Sequence, residues 1–313
     1  MARTIGGALS AGAGFFLARK YLLHHLSPQV SRRYQRQNFH GETVSLTGGI
    51  KVAAACLASG ASLTGDRAAR VGTMLPVAAG AALGYLDDTR AELPVQDADT
   101  PAASQSTVSD SSPETTEAKK EKPAVPKGFH GHLQALSQGK VTTGALKIVG
   151  IGTGAALGSL GIGRSRGTGL GTWVLDTMLI AGSANLANLF DLRPGRCLKV
   201  GALAALPLIP EKGTAASLAG GALATSALAL PADLGEREML GDTGANALGA
   251  LLGSAWAQKT GTGGKILGVL GIVVLTAASE KISFSQVIAK TPGLRTIDPV
   301  SYTHLRAHET LRY

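Results

Sequence analysis

Nine apolar runs constrain this chain more than any other feature. They lie near residues 4–23, 44–63, 68–86, 143–162, 169–190, 197–211, 213–231, 243–258 and 264–280. A bilayer crossing takes about 20 mainly apolar residues, and all but the sixth and eighth runs approach that length. The alternative is a soluble bundle of Ala-rich buried helices. Only 16% of the 313 residues are charged, against about 25% in ordinary soluble domains. That leaves too little polar surface to cover nine such runs. The expected fold is therefore all-α: a polytopic transmembrane helical bundle of 9–10 spans, forming one membrane domain over residues 1–300. The two cysteines, Cys56 and Cys197, lie in or beside apolar runs and define no disulfide scaffold.

The polar segments between the runs carry an orientation signal. Counting Lys and Arg in alternate loops gives sixteen on one side and eight on the other. The excess places the richer loops in the cytoplasm and the N-terminus outside. Residues 91–126 hold seven acids among Pro, Ser and Thr with no apolar period, and read as a disordered cytoplasmic insertion. The last thirteen residues, 301–313, resemble translated adapter sequence and are set aside from the fold. The net charge of +9 is spread in short groups and accompanied by only 13 aromatics. This favours lipid headgroups or substrate phosphates as partners over nucleic acid.

Four polar clusters fall at run ends on the side assigned to the cytoplasm. Asp87 and Asp88 end the third run in GYLDDTR, where paired carboxylates are expensive unless they hold a cation or proton. KGFHGHLQALSQGKVTTGALK brings Lys127, His130, His132 and Lys147 to the fourth run. NLANLFDLRPGR ends the fifth, where Asn185, Asn188 and Asp191 share about a third of a helix circumference. GDTGAN opens the eighth, with Asp242 and Asn246 on one face. Each cluster alone has a bland reading as a cap or turn. Together, acids on one membrane face with lysines among them suit Mg²⁺ and a phosphorylated substrate, since Mg²⁺ takes carboxylate oxygens and shares its shell with phosphates. The absence of Cys and His clusters argues against zinc. Asp176, about two turns into the fifth run, is an intramembrane acid that either serves function or reaches water.

The order DD, then KGFxGH…TTGALK, then NxxNLFD, then GDTGAN resembles the polyprenyl-phosphate N-acetylhexosamine-1-phosphate transferases. The resemblance covers roughly residues 30–290 apart from the insertion. It implies about ten spans, an outside N-terminus, cytoplasmic catalytic loops, Mg²⁺ dependence and a multi-pass protein of the bacterial cytoplasmic membrane. The implied reaction moves a sugar-1-phosphate from a UDP-sugar to polyprenyl phosphate and releases UMP, for cell-envelope glycan synthesis. By motif match, Asp87, Asp88 and Asp191 are catalytic. Asn185, Asn188, Lys127 and Lys147 bind substrate, and Asp242 is the principal Mg²⁺ ligand. Oligomeric state is left open, a homodimer among the options.

Three departures from the family pattern lie on the nucleotide and sugar side. Pro194 stands where a second loop Asp is usual, and Met239 where an aromatic precedes the GD motif. The late His-rich loop is replaced by ASEKISFSQ. They motivate a competing expectation, a non-catalytic polyprenyl-phosphate-binding or scaffold protein with a decayed nucleotide site. A transporter is disfavoured because the charges gather at one face rather than at midplane.

Overall fold

A computed structural model of the chain describes residues 1–23, 34–37, 42–90, 143–281, 287–288 and 290–291. The insertion 91–126, the motif residues Lys127, His130 and His132, and the terminal segment 301–313 lie outside the described residues.

Each of the nine apolar runs becomes a helix. They are α1 (Ala2–Leu17, continued by a π-helical turn Ala18–Leu23), α2 (Thr47–Ala61), α3 (Arg67–Arg90), α4 (Thr143–Arg166), α5 (Leu170–Phe190), α6 (Arg196–Ala205, then a 3₁₀ turn Leu206–Leu208), α7 (Thr214–Leu234), α8 (Gly241–Lys259) and α9 (Thr262–Lys281). The all-α expectation holds, with one addition. A two-stranded antiparallel ribbon, β1 (Gln35–Gln37) with β2 (Thr43–Ser45), precedes α2.

Length separates the helices. Among the described residues, three are long and apolar enough to cross a bilayer: Ala145–Arg166, Thr214–Leu234 and Thr262–Ser279. The sixth run does not form one long helix. Pro207 lies in the 3₁₀ turn that follows α6, and the ten-residue α6 rises only about 15 Å, half the hydrocarbon thickness.

The bundle is organised around α8. Fifteen of its 19 residues are buried, so it is surrounded on all sides. Its sequence GANALGALLGSA allows this, because small side chains let neighbouring backbones approach. Its main neighbours are α5 and α3, while α4 packs on α3 and α1 on α7. At the other extreme, α9 rests chiefly on α5. It exposes Leu267, Leu270, Val273 and Val274, an apolar face of the kind that meets lipid. Both tryptophans tie helices together. Trp173 Nε1 donates to the Ala156 carbonyl at 2.9 Å and Trp256 Nε1 to the Ala204 carbonyl at 3.1 Å.

The contact that positions the functional residues is between α3 and the start of α8. A Cβ added at Gly84 would lie 2.3 Å from the Asp242 carbonyl oxygen, so only glycine permits this approach. Asp88, one turn further along the same face of α3, is thereby carried over the first N–H groups of α8.

Gly84→Leu is therefore expected to lower stability by about 1–3 kcal/mol, the usual overpacking range. Gly152→Leu, where an added Cβ meets nothing within 4 Å, is expected to be near neutral. Thermal unfolding of the two variants in detergent checks the contrast.

Candidate functional site

The site is built on the N-terminus of α8. The first N–H groups of any helix have no partner inside it, and here two carboxylates from other helices supply acceptors. Asp88 accepts from the Asp242 N–H at 3.0 Å and the Thr243 N–H at 2.9 Å, and from the Thr243 hydroxyl at 2.6 Å. Asp191, the C-cap of α5, accepts from the Gly241 N–H. Negative charge is favourable at this end of a helix. Gly241 has a φ of +57°, and a Cβ there would sit 2.9 Å from both Asp88 carboxylate oxygens. Conformation and space both demand glycine at the head of the GDTGAN motif.

With its N–H given to Asp88, Asp242 turns its side chain the other way. It pairs with the Lys147 ammonium from the first turns of α4. Lys147 Nζ also stands 3.7 Å from Asp87 Oδ2. The two adjacent acids of α3 thus have different duties. Asp88 is spent on the helix end. Asp87, with a side chain 34% exposed, faces the lysine. The Arg36 guanidinium donates to the Asp88 carbonyl and joins the ribbon segment to this corner.

Burial, and then the crowding of carboxylates, raises three of these acids. Burial, and then the neighbouring Asp87 carboxyl, push Asp242 up to about 6 against the opposing pull of Lys147. Burial raises Asp88 as well, resisted by the Thr243 donors. Asp191 is raised well above the ordinary carboxylate range by burial and then by the charges of Asp233, Asp242 and Asp88. The site holds more negative charge than its lysine offsets, which is the condition under which a cation or proton is taken up.

Of the residues expected from sequence, Asp87, Asp88, Asp191, Asp242 and Lys147 are gathered here. Asn185 and Asn188 are not joined to them: Asn185 is exposed, and among the described residues neither side chain hydrogen-bonds to the carboxylates. Lys127 lies outside the described residues. Asp176 is away from the cluster, fully buried and ion-paired with the equally buried Lys265 between α5 and α9. It is therefore a partnered acid and does not reach water. Asn246 lies buried one turn below Asp242, and among the described residues neither of its side-chain polar atoms is hydrogen-bonded.

Two participants were missed. Thr243 is the third residue of the GDTGAN motif, and its hydroxyl role depends on where Asp88 arrives. Asp233, near the end of α7, is 4% exposed and accepts from the Gly195 N–H. It clamps the Arg193–Arg196 turn that follows Asp191. A signal for it existed, since it is an acid at a run end on the same side as the other clusters.

Among the described residues no group of three or more His, Cys, Asp or Glu is arranged to hold a metal ion. The donor chemistry nevertheless fits Mg²⁺. Asp242 and Asp87 offer hard oxygens converging on one cation, Lys147, and Mg²⁺ commonly uses one or two carboxylates with substrate phosphates completing its shell. No known protein family, curated protein or solved structure matches the chain.

Two outcomes follow from this geometry. Asp88→Ala strips acceptors from two part-buried N–H groups and is expected to cost about 1–3 kcal/mol of stability, read by thermal unfolding. The raised Asp242 gives a pH signature. An acid whose folded pKa exceeds its unfolded value stabilises the fold while protonated, fully below 3.8, and loses that contribution as pH rises through about 6. In metal-free buffer the unfolding midpoint is expected to fall across this interval, and Asp242→Asn to flatten the profile.

Proposed function

We propose that this chain is a membrane-embedded phosphotransferase that moves an N-acetylhexosamine-1-phosphate from a UDP-sugar to polyprenyl phosphate, releasing UMP. In this reading the nine helices form a multi-pass bundle in a bacterial cytoplasmic membrane. The N-terminus is outside and the carboxylate cluster is at the cytoplasmic face. The single observation that carries the reading is the convergence of Asp87, Asp88, Asp191, Asp242 and Lys147 from the ends of four helices onto one corner.

The chemistry follows from charge. The nucleophile is a phosphate oxygen that already bears charge, so the difficulty is bringing two anions together. Lys147 leaves its carboxylate partners to offset the lipid phosphate. Asp87, the acid not spent on α8, receives any proton that phosphate carries and steers it. Asp242 and Asp87 would hold Mg²⁺, which when bound supplies positive charge to the diphosphate. Asp88 and Asp191 act by holding α8 in place. An apolar cavity of about 430 Å³ supports a lipid substrate. It lies among α5, α6, α8 and α9, lined by Leu179, Phe190, Cys197, Leu248, Trp256 and Leu267 among others. Phe190 immediately precedes Asp191, so the cavity ends beside the cluster and offers the prenyl chain a place.

The second reading, lipid binding without transfer, draws on the lack of side-chain hydrogen bonds from Asn185 and Asn188 to the acids among the described residues. Saturable, Mg²⁺-dependent binding of a UDP-sugar would exclude it.

The test is label transfer from a panel of UDP-sugars into the lipid phase, with purified protein, polyprenyl phosphate and Mg²⁺. Asp242→Ala and Asp87→Ala are each expected to lower transfer by about a hundredfold or more. Asp87→Ala is expected to do so without the stability loss of Asp88→Ala. Full activity in Asp242→Ala would defeat the metal assignment.

A further inference from the structure

The opposite end of the bundle carries a second, oppositely charged feature. A cavity of about 270 Å³ lies between the start of α1, the α2–α3 connection and the start of α7. Arg3, Ser10, Ser62, Thr64, Thr214 and Ser217 are among its lining residues, and none of the lining residues is an acid. The α7 helix is 21 residues long and begins here, so the cavity stands about 31 Å along the helix axis from the Asp233 end.

Donors without acceptors converge on this cavity. The α7 N-terminus has no side-chain cap and no acid in its first turn. Its first backbone bond is the Ser217 N–H to the Gly213 carbonyl. The N–H groups of Thr214, Ala215 and Ala216 therefore have no acceptor among the described residues, and Thr214 lines the cavity. First-turn N–H groups have no partner inside their helix and are free to receive a ligand. The α1 N-terminus, which also opens here, likewise has no side-chain cap and no acid in its first turn. Ser217 is 6% exposed and lines the cavity, and its hydroxyl has no hydrogen-bond partner among the described residues. The Arg3 guanidinium reaches the cavity rim beside Gly213 and is likewise unpaired. The nearest acids in sequence are engaged elsewhere: Asp66 with Ser165 and the Ala69 N–H, and Glu211 with Lys259 at 2.5 Å.

The geometry points to an anion-binding site at this end of the bundle, taking a phosphate-type group on the α7 N-terminus, the Ser217 hydroxyl and Arg3. Helix N-termini hold such groups through N–H donors and the dipole together. The group is either free phosphate or the headgroup of an anionic lipid. The lipid source rests on the membrane reading above, whereas the free-phosphate source does not.

The full chain in nanodiscs separates the sources. Inorganic phosphate is titrated calorimetrically into protein held in phosphatidylcholine. Retention of phosphatidylglycerol is scored by native mass spectrometry after reconstitution in a mixed bilayer. One of the two probes is expected to bind, and Arg3→Gln to weaken it tenfold or more. Thr214→Asp places a carboxylate on the open N–H groups. It is expected to remove binding while raising the unfolding midpoint, so that loss through misfolding is told apart. Failure of both probes to bind the unaltered chain overturns the site. So does binding that both variants retain in full. Phosphate binding that survives Arg3→Gln but falls in Lys147→Gln belongs to the carboxylate cluster and overturns this site while leaving the transferase reading intact.

Discussion

The N-terminus of α8 needs acceptors, and the corner of the protein that looks most able to do chemistry is arranged around supplying them. Gly241, Asp242 and Thr243 present their N–H groups at the end of a helix buried on every side, where water cannot easily satisfy them. Asp88 arrives from α3 and Asp191 from the end of α5, and together they accept all three. The same bonds draw the ends of α3 and α5 onto the central helix. The contacts that pack this corner are thus the ones that gather the site. The carboxylates that a phosphate chemistry would need are held in place by helix capping.

That arrangement divides residues that look equivalent in sequence. Asp87 and Asp88 are adjacent on a helix, about 100° apart around its axis, so their carboxylates turn to different groups. One turns to α8 and the other to Lys147. Asp242 divides within a single residue, its N–H engaged by Asp88 and its side chain by Lys147. The surplus negative charge that results is tolerated because helix dipoles and one lysine offset part of it. Asp88 and Asp242 respond by holding protons more tightly than usual.

The two ends of the bundle are electrostatic opposites. Helices α3, α5 and α7 deliver their C-terminal acids to one corner, and α8 delivers the acid of its first turn. At the other end the α1 and α7 N-termini meet beside Arg3 with no acid lining the cavity. A helix as long as α7 carries the distinction across a distance comparable to the hydrocarbon core of a bilayer.

Much of this was legible in the residues. Apolar runs located each of these nine helices, because burying apolar surface and pairing backbone groups leave few alternatives for such runs. Acids placed at run ends marked Asp87, Asp88, Asp191 and Asp242 as a group, and Lys147 with them. Sequence could not show that Asp88 would be spent as a cap, that Asp233 would reach across to the turn after Asp191, or that Asn185 would remain exposed. Those outcomes depend on how closely two backbones approach at Gly84 and on the rotation of each helix about its axis. No local pattern encodes either. Nor could it pair Asp176 with Lys265, which lie 89 positions apart. The sequence by itself determined which segments are helical and which ends are charged, since both follow from local side-chain chemistry. Only tertiary structure decided which charge meets which donor, because that is set by helix packing through contacts far apart in the chain.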